Sequence, residues 1–214
     1  MKHINTSDVH EDGVKMLVYG QSGTGKTSMI KTATNPLIIS SESGLLSLAD
    51  VSIPAVEISN EADLKEAYEY ARDSEFDTIC LDSLSDIAET LLEDYKSKVS
   101  DGRQAYGKMN DVINKYVRKF RGLKGKHVFI TAKEGKTEIN NVAIAAPSMP
   151  GQTLTTQIPY PFDLVLRLES NRKGERILHT ASTFSQVCKD RSNTLEVKEE
   201  ANIANLIKKI QWKK

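Results

Sequence analysis

Short apolar runs separated by amphipathic stretches set the pattern of the chain. Met16-Leu17-Val18-Tyr19, Leu37-Ile38-Ile39-Ser40, Thr78-Ile79-Cys80-Leu81-Asp82-Ser83 and His127-Val128-Phe129-Ile130-Thr131 are each continuous and rich in branched residues. Runs of that length without alternation predict strands buried on both faces, as in a parallel sheet. Between them, residues 61–73 place Leu64, Ala67, Tyr68 and Ala71 on one helical face. Residues 84–98 and 104–120 predict two more helices, split by the break Ser100-Asp101-Gly102. A short helix is predicted over 28–33, ending before Asn35-Pro36. The stretch 132–159 shows no periodicity and holds Pro147, Pro150 and Pro159, so it predicts a long irregular loop, functional or mobile. A fifth strand over 163–169, the turn Asn171-Arg172-Lys173-Gly174 and a hairpin partner over 176–180 follow. Residues 185–189 predict a further strand and 203–210 an amphipathic helix. Strands alternating with helices indicate an α/β fold, a mainly parallel sheet flanked by helices with a C-terminal antiparallel hairpin.

Length and composition narrow the class. With 214 residues the chain fits one domain, with a core over about 15–195 and a C-terminal helix over about 200–211. No apolar run approaches the roughly 20 residues of a membrane helix, so no membrane association is expected. Residues 1–15 are too polar for a signal peptide and offer no recognisable filament-forming tail. Cys80 and Cys188 sit in apolar or mixed runs and predict core thiols in a reducing cytoplasm. The 29 basic and 29 acidic residues balance, but unevenly along the chain. Residues 37–95 carry 15 acidic and two basic side chains, and 96–126 carry ten basic and two acidic. The basic stretch is either a polyanion-binding surface or a solvated helix face.

The chemistry starts at Gly20-Gln21-Ser22-Gly23-Thr24-Gly25-Lys26-Thr27, a complete G-x-x-x-x-G-K-[ST] phosphate loop between a predicted strand and a predicted helix. Its backbone N–H groups, through Ser28, are expected to surround the phosphates of ATP. Lys26 then reaches the β/γ oxygens and the Thr27 hydroxyl ligates Mg²⁺. The helix start near Lys26 adds its positive dipole end. Asp82, closing an apolar strand, fits the carboxylate that holds Mg²⁺ through water, a role compatible with capping the next helix. Hydrolysis further needs a group to orient water. Asp86 and Glu89 are candidates on the following helix, but Glu42, at the end of what reads as the strand beside the loop, is better placed.

In this order of motifs the chain resembles the RecA-like recombinase core, and within it the minimal single-domain version of bacteriophages that acts on single-stranded DNA in recombination and annealing. The resemblance covers roughly 15–195 and implies an ATPase stimulated by DNA, working in the host bacterial cytoplasm. It assigns Glu42 as the catalytic glutamate. Lys133 falls where the family has a glutamine that senses the γ-phosphate, a departure from the pattern. Residues 134–152, ending Gly151-Gln152, match the second DNA-binding loop, although Lys136 is its one basic residue and it has no aromatic. Arg103 and Tyr106 lie where the first DNA loop falls. Cys188-Lys189-Asp190-Arg191 resembles the paired cations that reach a neighbouring subunit's ATP. On an extended segment Lys189 and Arg191 share a face and can neutralise a transferring phosphoryl group. The implied partners are single-stranded DNA, further copies of the chain in a ring or filament, and a single-strand-binding protein as a candidate cellular partner. Two other readings stay open: a nucleotide kinase, against which the absence of arginine in 132–159 counts, and a nucleotide-gated binding module with little turnover.

Overall fold

A computed structural model describes residues 12–42, 44–139 and 141–211. The expectation for 1–15 therefore lies largely outside the described residues. The elements are β1 (Lys15–Gly20), α1 (Lys26–Met29), β2 (Pro36–Ser40), β3 (Ala55–Glu57), α2 (Glu61–Asp73), β4 (Thr78–Leu81), α3 (Leu84–Lys98) and α4 (Gly102–Arg121). They continue with β5 (His127–Ile139), β6 (Val142–Ser148), α5 (Gln152–Gln157), β7 (Leu164–Ser170), β8 (Arg176–His179), β9 (Lys189–Asp190), β10 (Lys198–Glu200) and α6 (Ile203–Gln211).

The strands form one mixed sheet in the order β10-β8-β7-β1-β5-β4-β2-β3. β3, β2, β4, β5, β1 and β7 run parallel, while β8, β10, β6 and β9 are antiparallel additions. Period-two alternation explains why the apolar runs have no polar side. In β1, Leu17 and Tyr19 enter the core under α2–α5, and Met16 and Val18 enter the core under α1 and α6. Asn60, Ser83 and Asp101 cap α2, α3 and α4 by accepting backbone N–H bonds from the first turns. Cys80 and Cys188 are buried free thiols, as expected, and burial raises the pKa of each, Cys188 to about 11.

Several expectations are corrected. β2 does not neighbour β1: β5 and β4 lie between them. The stretch 132–159 is not irregular. β5 runs on to Ile139 and pairs with β6 from Lys133↔Ser148 to Ile139↔Val142. Beyond Lys133 the strand leaves the parallel sheet, so it loses the two apolar cores that made its first half readable. Asn141, at φ 62°, supplies the left-handed backbone that a two-residue hairpin turn needs. The helix after the phosphate loop is one turn of α followed by a 3₁₀ turn over Ile30–Thr32. Of the strand predicted over 185–189 only Lys189 enters β9, and residues 185–187 instead bond the backbone of Ala145 in β6. The short strands β3 and β10 had no sequence signal.

Candidate active site

The loops at the carboxyl edge of β1, β2, β4 and β5 enclose a cleft of about 670 Å³. Gly20 has to be glycine because a Cβ there would sit 2.4 Å from the Leu168 carbonyl oxygen of β7. Gly25 turns the chain into α1 with φ 95°, a backbone favoured only for glycine. Gly20, Gln21, Ser22, Gly23, Gly25, Lys26, Thr27 and Ser28 line the cleft. Thr24 does not: it is buried, and its hydroxyl donates to the Gln21 carbonyl at 2.9 Å, bracing the loop from behind. Lys26 Nζ folds onto the Gly20 and Gln21 carbonyls at 2.8 and 3.0 Å. Burial lowers its pKa, with Asp82 and Asp86 opposing.

Asp82 is buried at the floor. Its Oδ2 accepts from Thr27 Oγ1 at 2.6 Å, and its Oδ1 accepts from the Thr131 hydroxyl of β5. Ser40 at the end of β2 donates to the Asp82 carbonyl at 2.6 Å and ties the two strand ends together. Thr27 and Asp82 form a small all-oxygen site. Such a site suits Mg²⁺, which keeps several waters and takes the rest of its shell from substrate phosphates. Among the described residues there is no group of three or more acidic, His or Cys side chains to cage an ion. The donors present therefore fit a metal that is held together with the nucleotide.

Glu42 stands exposed on the cleft wall beside Asp86. The Asp86 charge, more than burial, raises the Glu42 pKa. For Asp86, burial works against the charged form, but hydrogen bonds from Lys133 and Ser83 outweigh it and its pKa falls. Of this carboxyl pair, Glu42 is thereby the one more readily protonated. Lys133 Nζ lies 2.6 Å from Asp86 Oδ1 and 2.7 Å from Glu89 Oε2. Burial lowers its pKa, and those two carboxylates more than restore it. So Glu42, Asp82, Lys133 and the loop meet in one cleft, and Asp86 belongs with them. Glu134 and Arg176 also line it. Glu134 pairs with Arg167 at 2.8 Å. Thr131 was signalled only by its place at the end of an apolar strand, and Arg176 by nothing in the sequence.

The remaining candidates lie elsewhere. Lys189 pairs with Val165 near the start of β7, toward the amino edge of the sheet and away from this chain's own loop. Lys189 and Arg191 both reach the Tyr160 carbonyl, at 3.0 and 3.1 Å, so they share a face as expected. Burial, then Arg191, lowers the Lys189 pKa to about 8. Arg103 and Tyr106 are not in a loop; α4 begins at Gly102 and places both in its first turns. Lys136 sits in the β5–β6 hairpin rather than a loop, and with Gly151 lines a second cavity of about 190 Å³. A Cβ on Gly151 would lie 3.6 Å from the Tyr106 ring, so Tyr106 packs beside Gly151 without itself lining the cavity.

A family model described as an AAA domain matches residues 12–192. No curated protein sequence matches the chain. With the loop, Asp82 and Thr27 in one cleft, the chain belongs to the AAA-domain family of P-loop ATPases.

Proposed function

We propose that the chain is an ATP-dependent single-stranded DNA-binding protein of the RecA-like recombination and annealing type, hydrolysing ATP at interfaces between copies. The observation that carries this reading is the continuity of β5. One strand runs from Lys133 in the nucleotide cleft to Lys136 at the second cavity, three residues on. A change at the γ-phosphate end is thereby connected through rigid backbone to the surface where Tyr106 and Lys136 would contact bases and phosphates. Tyr19 of the loop strand strengthens the link: its single hydroxyl proton is shared between the Ala145 and Val187 carbonyls, at 3.0 and 2.8 Å. The same bonds tie in the segment leading to Lys189 and Arg191.

In this reading Thr27 and Asp82 would hold Mg²⁺, which would polarise the phosphates of ATP, the substrate that carries the electrophilic phosphorus. Lys26 and the loop N–H groups bind and orient the phosphates, and Glu42, once ionised, polarises the attacking water. Lys133 leaves Asp86 for the γ-phosphate, and Lys189 and Arg191 serve the site of the next copy.

The reading is tested by ATP turnover with and without single-stranded DNA across a range of protein concentrations. Stimulation by DNA that grows with concentration is expected. Turnover that instead requires a nucleoside acceptor would make the chain a kinase, and tight ATP binding with no turnover under any condition would make it a gated binding module.

A further inference from the structure

Three cations line the nucleotide cleft: Lys26, Lys133 and Arg176. Lys26 is held by loop carbonyls and Lys133 by two carboxylates. The Arg176 side chain makes no hydrogen bond or ion pair with any other described residue. Its placement is nevertheless specific. It opens β8 opposite Ser170, the last residue of β7, so it stands beyond the point where the Leu168 carbonyl meets Gly20. From there its side chain crosses to the phosphate loop, and a Cβ on Gly25 would lie 2.4 Å from both its Cζ and its Nε.

Strand order says which end of a nucleotide this cation faces. Asp82, Lys133 and Glu42 come from β4, from β5 and from the end of β2, all on one side of β1. They gather the metal and the reacting γ-phosphate on that side. Arg176 comes from β8, beyond β7, on the other side. A triphosphate threaded through the loop with its γ end toward Asp82 has its α-phosphate and nucleoside toward β7 and β8. A guanidinium against Gly25, at the entry to α1, is a fork of donors facing that end.

We propose that Arg176 binds the α-phosphate of the nucleotide in its own subunit, closing the phosphate loop from the side opposite the metal. This rests on the nucleotide site above. It makes Arg176 a binding residue that ATP and ADP use alike, whereas Lys133 would distinguish them.

The test is equilibrium binding of ATP and ADP, both with Mg²⁺, to the wild-type chain and to Arg176→Gln and Arg176→Lys variants, followed by fluorescence or calorimetry. Because the Arg176 side chain has no bonded partner among the described residues, thermal unfolding without nucleotide should match wild type and serves as the control for folding. The expected result is a loss of about tenfold or more for Arg176→Gln, by the same factor for ATP and ADP, as for removal of a charged hydrogen bond. Arg176→Lys should keep more of the affinity. In turnover the loss should fall on KM with kcat retained. Unchanged affinity for both nucleotides, a loss confined to ATP, or equal losses in the Gln and Lys variants would each overturn the assignment. If wild type binds neither nucleotide, the site itself is wrong, a separate failure.

Discussion

The ammonium of Lys133 sits between Asp86 and Glu89, at 2.6 and 2.7 Å, and the Asp86 charge in turn raises the Glu42 pKa. One cation therefore bears on the charge of the residue proposed to polarise water. As long as Lys133 stays on Asp86, the neighbouring negative charge keeps Glu42 protonated above the ordinary glutamate range. The acid limb of the kcat/KM profile, which reports the free enzyme, should then lie above the usual carboxylate value. Asp86→Asn removes the largest cause of the shift, so that limb should move to lower pH; a limb that does not move would show that Glu42 titrates independently of Asp86. At this scale the sequence was most informative where chemistry is local. The phosphate loop spans Gly20–Thr27, and Asp82 ends its own apolar run. Asp86 and Arg176 were not legible as partners of Glu42 and Gly25, because contacts from α3 and β8 depend on strand order, which the sequence does not display.

Among the elements, β5 carries the clearest lesson. Its first half, buried between β1 and β4, announced itself by continuous apolarity. Its second half pairs with β6, outside the parallel sheet and its two cores, so its pattern is mixed and it read as a loop. The signal that was available is Asn140-Asn141 flanked by Ile139 and Val142, a pair suited to a tight hairpin turn. Tyr19 ties this hairpin to the loop strand, buried and with two carbonyl acceptors. Burial raises its pKa, so the hydroxyl keeps its proton and donates. Tyr19→Phe leaves those acceptors short of a donor and should lower stability by about 1–2 kcal/mol in urea unfolding. It should also weaken DNA stimulation more than basal turnover. Unchanged stimulation in a destabilised variant would confine Tyr19 to a structural role.

Over the whole molecule, the uneven charge of the sequence resolves partly inside the fold. α4 carries the basic stretch and packs near the acidic α2. Lys115 approaches Glu61 at 3.7 Å, and Lys119 lies over the Tyr68 and Tyr116 rings at 4.9 and 5.1 Å. Lys115 and Lys119 are thus engaged within the chain, and at the other end of the stretch Lys96 lies over the Tyr106 ring at 5.9 Å. Among the described residues no helix is long and apolar enough to cross a membrane. Lys189 and Arg191 lie toward the sheet edge opposite the phosphate loop, and the proposed service to a neighbour's site requires cations placed away from their own. In the proposed reading the ATP site is shared, with Glu42 from one copy and Arg191 from the next. The most direct test mixes Arg191→Ala with Glu42→Gln, each inactive alone, and measures ATP turnover with single-stranded DNA present. One kind of interface in the mixture is intact, so an equimolar mixture should recover about a quarter of wild-type turnover under random assembly. Mixtures no more active than either variant alone, at every ratio, would contradict the account.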